Sequence, residues 1–158
     1  MKVNIGISEK NRQEVTRILN RLLSDEYVLY TKTRNYHWNV TGPNFSELHK
    51  FFEEQYEALD DIIDEVAERA RSLGGRSLGT LGEFLKEASL REASRDYPNS
   101  RKMLANLLAD HEAIILRLRE DLEACISKYS DMGTSDFLTG LMERHEKMSW
   151  MLRSFSSK

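Results

Sequence analysis

Apolar side chains recur along this chain at steps of three and four residues, the period of a helix that buries one face. Val15, Ile18, Leu19, Leu22, Leu23, Tyr27 and Tyr30 form one such stripe and predict a helix from about Ser8 to Trp38. Leu48, Phe51, Phe52, Leu59, Ile62, Ile63 and Val66 form a second, over Phe45 to Leu73. Asn44 is placed to cap the start of that helix and Gly74-Gly75 to stop it. Met103, Leu104, Leu107, Leu108, Ile114, Ile115, Leu118 and Leu122 mark a third, from about Ser100 to Lys128. Asp131-Met132-Gly133 then breaks the chain, and a fourth helix capped by Thr134 or Ser135 ends near Phe155.

The connections set the topology. Pro43 forbids helix through Thr41-Gly42-Pro43 and Gly42 can take a positive φ, so the first two helices fold back as an antiparallel hairpin. The connection after the second helix is long, about twenty-five residues, enough to cross from one end of a bundle to the other. It holds Gly79, Gly82 and Ser89, with a short helix expected from Leu81 to Lys86. Two short connections and one long one predict an all-α, ferritin-like four-helix bundle, with the short helix in the crossover between the second and third helices. A length of 158 residues fits a single domain, 1–158.

Composition narrows the class. Hydrophobic content of 40% and charged content of 31% describe a soluble globular chain. Cys125 is the only cysteine, so no intramolecular disulfide framework exists and a reducing compartment is expected. Residues Met1 to Ile7 lack the apolar run of a signal peptide, and no stretch reaches the ~20 apolar residues of a membrane span. A cytoplasmic location is therefore expected. The formal net charge of −3 argues against a cationic coat for nucleic acid.

The candidate chemistry lies on the second helix and just before it. At ~100° per residue, His49, Glu53 and Asp64 fall within about 60° of one another, and Glu68 follows Asp64 by one turn. Asp64 is nevertheless about 22 Å from His49 along the axis at ~1.5 Å per residue. Metal–ligand bonds span about 2.0–2.6 Å, so one helix cannot bring both to one ion. An antiparallel second copy can, by setting His49 of one chain opposite Asp64 and Glu68 of the other across a two-fold axis. His37, across the tight turn, joins His49 within one chain. Glu53, one turn from His49, is the bridging or second-metal candidate. Imidazole with carboxylate suits Fe(II), Zn(II) and Mn(II) about equally. Glu-x-x-His, the motif of di-iron sites inside a single four-helix bundle, is absent.

The run His37-Trp38-Asn39-Val40, Gly42-Pro43-Asn44-Phe45, His49-x-x-x-Glu53 and Asp64-x-x-x-Glu68-Arg69-Ala70 resembles the ferroxidase signature of the Dps proteins, or mini-ferritins, the DNA-binding proteins from starved cells. The likeness extends over nearly the whole chain, with Glu53 where the family usually has an aspartate. It implies oxidation of Fe(II), typically by hydrogen peroxide, at a site shared between subunits, with Fe(III) stored in a hollow homo-dodecamer as protection against oxidative stress. Zn(II) is possible at the same ligands. It also implies that Trp38 lies near the iron, where it absorbs stray oxidising equivalents or packs at the dimer contact. Arg34 either tunes the site or is a surface base. Asp131 and Asp136 match positions lining the family's three-fold pores that admit iron, with Glu143 or Glu146 as substitutes.

The other candidates read more simply. His111 and His145 are expected as buried, hydrogen-bonded or polar-face residues, Met142, Met148 and Met151 as packing, and Cys125 as a small core residue. DNA binding is the competing role. Lys2 and Lys10 at the start and Arg153 and Lys158 at the end supply few phosphate contacts, which twelve copies would have to multiply.

Overall fold

The computed structural model describes residues 3–156, with side chains through Phe155. Lys2 and Lys158, weighed above as DNA contacts, lie outside the described residues. Five helices follow in order: α1 Glu9–Asn39, α2 Phe45–Ser72, α3 Leu81–Glu87, α4 Ser100–Ser127 and α5 Met132–Ser156. No strand occurs among the described residues. The chain is an all-α, ferritin-like four-helix bundle, with α3 as the short helix of the crossover. No helix among the described residues is long and apolar enough to cross a membrane.

Two hairpins build the bundle. α1 lies along α2 and α4 along α5, and α1 also packs against α3 and α4. The apolar stripes meet in one core, where Leu19, Leu23 and Leu29 of α1, Phe52, Leu59 and Ile62 of α2, Leu107, Ile114 and Leu118 of α4 and Leu138 of α5 are all fully buried. Met148 is buried, and Met142 and Met151 pack against the core as expected of filler. Cys125 is buried, and burial pushes its thiol up to about 12, which leaves it without thiolate character at neutral pH.

Local capping follows the sequence at most ends. Ser8 accepts the Asn11 N–H at 3.2 Å, and Asn99 accepts the Lys102 N–H at 3.0 Å. Thr80 and Glu83 close a capping box on α3, whose Phe84 stacks on Tyr27 at 4.1 Å. Asp25 accepts the Ser89 and Leu90 N–H groups at 2.6 and 2.9 Å, fastening the crossover to α1.

Two ends differ from expectation. Asn44 occupies the cap position of α2 but makes no capping hydrogen bond, its φ of −99° and ψ of 23° being away from the extended geometry of a cap. α5 begins before Thr134 and is capped by Asp131, which accepts the Thr134 N–H at 2.9 Å and the Thr134 hydroxyl at 2.6 Å. Thr134 is thus a donor to the cap and not the cap itself. A carboxylate immediately before the first residue of α5 accepts from a first-turn N–H with the favourable sign of charge.

Candidate metal centre

The turn after α1 has the geometry that its residues require. Gly42 sits at φ +114°, a region closed to side-chain-bearing residues, and reverses the chain from α1 into α2. That reversal sets the last turn of α1 beside the first of α2. His37 and His49 face each other there, with ring centroids 3.8 Å apart and planes 21° off parallel.

Their hydrogen bonds are reciprocal. His37 Nδ1 lies 2.7 Å from the carbonyl oxygen of His49, and His49 Nδ1 lies 2.8 Å from the carbonyl oxygen of His37. A carbonyl can only accept, so each Nδ1 carries the proton. Each Nε2 is then left with a lone pair. This is the arrangement by which a protein fixes the tautomer and orientation of a metal-ligating imidazole. His37 is buried and His49 half-buried, and Phe45 stacks on the His49 ring at 5.2 Å. Two oriented imidazoles of this kind suit a divalent transition metal.

Glu53 lies one turn along α2, half-buried. Tyr56, which sequence reasoning missed, stands between it and His37. The Tyr56 hydroxyl lies 3.5 Å from Glu53 Oε1, and its ring meets His37 edge-on at 5.3 Å. Partial desolvation, with Glu53 alongside, pushes the Tyr56 phenol up from its usual range. Its spacing, seven residues after His49 and three after Glu53, was the available signal. Arg34 is no isolated surface base. Its guanidinium lies 4.9 Å from the Tyr56 ring, 5.6 Å from Tyr30 and 5.1 Å from Trp38, and it donates to the Tyr30 hydroxyl at 2.7 Å. Trp38 is 63% exposed.

The remaining acids stand apart. Asp64 and Glu68 are exposed, one turn from each other on α2. Asp64 borders a surface cavity of about 570 Å³ shared with Tyr27, Asp60 and Asp61. Among the described residues no three His, Cys, Asp or Glu side chains of the single chain converge on a metal position. The structure thus pairs His37 with His49, sets Glu53 beside Tyr56 one turn along α2, and leaves Asp64 and Glu68 elsewhere on that helix.

Asp131, a pore candidate by resemblance, has a structural task within the chain. It is buried, its carboxylate is engaged by Thr134, and Arg69 lies 3.3 Å away. Asp136 is exposed.

The other two histidines are buried, as expected, in a chain of contacts that bridges the hairpins. Glu26 Oε1 of α1 lies 2.9 Å from His145 Nε2 of α5, and His145 Nδ1 lies 2.9 Å from His111 Nδ1 of α4. All three are at most 1% exposed. Burial, and then the neighbouring His145, hold His111 well below the usual imidazole range. Glu26 was missed, although its place between Leu22 and Leu29 put it on the buried face.

A sequence model of the ferritin-like domain matches residues 16–158. A low temperature-induced protein of Nostoc sp. is 48% identical over 98% of this chain and 86% of its own length. The DNA protection during starvation protein 2 of Bacillus anthracis is 37% identical, covering 90% of this chain and 97% of its own. The crystal structure of a Dps protein from Vibrio cholerae O1 superposes with a TM-score of 0.92 at 34% identity, over 99% of this chain and 98% of that one. The chain belongs to the Dps family of ferritin-like proteins.

Proposed function

We propose that this protein is a ferroxidase and iron-storage mini-ferritin. Fe(II) is its substrate, hydrogen peroxide its preferred oxidant, and Fe(III) is deposited inside a hollow homo-dodecamer built from two-fold dimers. The reaction removes both reagents that otherwise generate hydroxyl radical, and so protects the cell from oxidative stress. The cytoplasm is the compartment that fits.

One observation carries the reading: the reciprocal Nδ1–carbonyl hydrogen bonds of His37 and His49, which leave two oriented Nε2 lone pairs on one side of the turn. Asp64 and Glu68 of a neighbouring copy supply the charge that balances a divalent ion, and Glu53 stands ready to bridge or to hold a second one. The ~22 Å between His49 and Asp64 makes the neighbour a requirement. Zn(II) competes for the same ligands. The Vibrio cholerae protein is described as a member of a broad superfamily of ferritin-like diiron-carboxylate proteins, which agrees with iron.

Anaerobic addition of Fe(II), then of hydrogen peroxide, followed by near-ultraviolet absorbance tests this. The wild type forms Fe(III) rapidly, and a His37→Ala, His49→Ala double variant does not. Equal rates in the two would remove the assigned site, and full activity in a stable monomer would refute the shared site.

The name of the Bacillus anthracis relative favours a second reading, in which the protein coats and protects DNA without regard to sequence. A gel shift across a salt series decides it: retardation at low salt that fades as salt rises supports DNA binding, and none at any salt removes it.

A further inference from the structure

Three tyrosines connect the two separated parts of the candidate centre. Tyr56 lies edge-on to His37 at 5.3 Å, Tyr30 edge-on to Tyr56 at 6.1 Å, and Tyr27 edge-on to Tyr30 at 6.3 Å. Tyr27 in turn borders the cavity that holds Asp64. We propose that Tyr56, Tyr30 and Tyr27 form an electron-transfer path from the His37–His49 part of the centre to the Asp64 part of the same chain. This rests on the ferroxidase reading above. In a two-fold dimer those parts belong to different iron positions, so each chain's tyrosines link the two.

The chemistry explains the need. Hydrogen peroxide takes two electrons and two protons to become two waters, whereas each Fe(II) gives one electron. An Fe(II) acting alone cleaves peroxide to hydroxide and hydroxyl radical. With the path in place, the second electron comes from Tyr56, whose phenol proton passes by way of Glu53 Oε1 to the peroxide oxygens as the neutral tyrosyl radical forms. Iron, phenol, peroxide and one further proton give Fe(III), tyrosyl and two waters. The Fe(II) at the other position then returns an electron through Tyr27 and Tyr30, and Tyr56 takes back a proton. The sum is two Fe(II) oxidised per peroxide, with the tyrosine restored. Edge-to-face contact from His37 through to Tyr27 matters because electron tunnelling falls off exponentially with the gap. Arg34 fits this scheme: a guanidinium over the Tyr30 and Tyr56 rings disfavours a ring cation, so oxidation proceeds with loss of the proton.

The test uses the intact assembly loaded anaerobically with Fe(II), mixed with limiting peroxide and freeze-quenched for electron paramagnetic resonance, with a spin trap in parallel. The wild type shows a transient tyrosyl signal, two Fe(II) consumed per peroxide and no hydroxyl adduct. Tyr30→Phe keeps the ring and leaves calorimetric Fe(II) binding intact, yet its ratio falls toward one and the hydroxyl adduct appears. Tyr27→Phe does the same, which separates loss of the path from loss of the Arg34–Tyr30 hydrogen bond. If wild type consumes two Fe(II) per peroxide and both variants match it without adduct, the path is overturned and the ferroxidase reading stands. If the wild type leaves Fe(II) unoxidised, both fall.

Discussion

Replacing His111 by Asn should flatten the acid side of the stability curve. Asn places an amide where Nδ1 stood, so a donor to His145 Nδ1 is kept and the titrating group is lost. In the fold, His111 is held well below the ordinary imidazole range by burial and by His145. The geometry gives the reason. The 2.9 Å Nδ1–Nδ1 contact needs one donor and one acceptor, and protonating both rings sets N–H against N–H with Glu26 as the one bonded carboxylate. A depressed folded value means the unfolded chain binds more protons at low pH. The stability is then fully present above the unfolded value of about 6.5 and drains as pH falls below it, at up to about 1.4 kcal/mol per pH unit. Between about pH 7.5 and about pH 5 linkage caps the loss from this one residue at about 2 kcal/mol. Denaturant unfolding of wild type and His111→Asn at matched protein concentrations across that range measures it. The variant starts lower, because a well-packed ring is gone, and the two curves converge as pH falls. Curves that stay parallel would show that His111 is charged in the fold or exposed to water, and would refute the reasoning.

Other substitutions probe the packing and the pore. A Cβ at Gly75 would overlap Oγ1 and Cγ2 of Thr16, a buried residue whose hydroxyl is tied to the Arg12 carbonyl at 2.8 Å. Gly75→Ala should therefore cost about 1–3 kcal/mol in thermal unfolding. Asp131→Ala removes the cap of α5 and the partner of Arg69, and should destabilise by about 2 kcal/mol in a denaturant titration. Asp136→Ala should leave stability within about 0.5 kcal/mol, and if Asp136 lines the pore it slows iron uptake at unchanged site occupancy.

The helices were legible because their signal is local. The period of apolar residues, Pro43, and the Gly42 and Gly74-Gly75 stops all act within a turn or two of where they sit, and α1, α2 and α4 start and end within a residue or two of expectation. The start of α5 was less legible. Thr134, Ser135 and Asp131 are all good caps by type, and the choice rests on which side chain faces the free N–H groups once Ser130 has taken a positive φ of 56°. The facing of His37 and His49 across the turn was legible from their spacing, but their tautomers were not, because the carbonyls that fix them come from the opposite helix of the hairpin. Tyr56 and Glu26 escaped for a related reason. A tyrosine or glutamate on a mixed face reads as packing or solvated surface until its neighbour on another helix is known.

The two parts of the candidate centre are built on opposite principles, and that contrast bears on how the chain works. The imidazoles are ordered before any ion arrives: each spends its Nδ1–H on a backbone carbonyl, one ring is buried, and the two are stacked within a turn set by Gly42. Little conformational entropy remains to be lost when they bind, so they contribute direction. Asp64 and Glu68 are exposed and far from the imidazoles of their own chain. In the proposed centre they would contribute charge, which imidazole lone pairs do not supply. A lone chain can orient an ion without neutralising it at one end of α2, and can attract one without orienting it at the other. Neither is a strong site by itself. In the proposed shared centre, association of two chains would join direction to charge, tying tight binding to assembly and guarding a lone chain against holding reactive Fe(II) outside a shell.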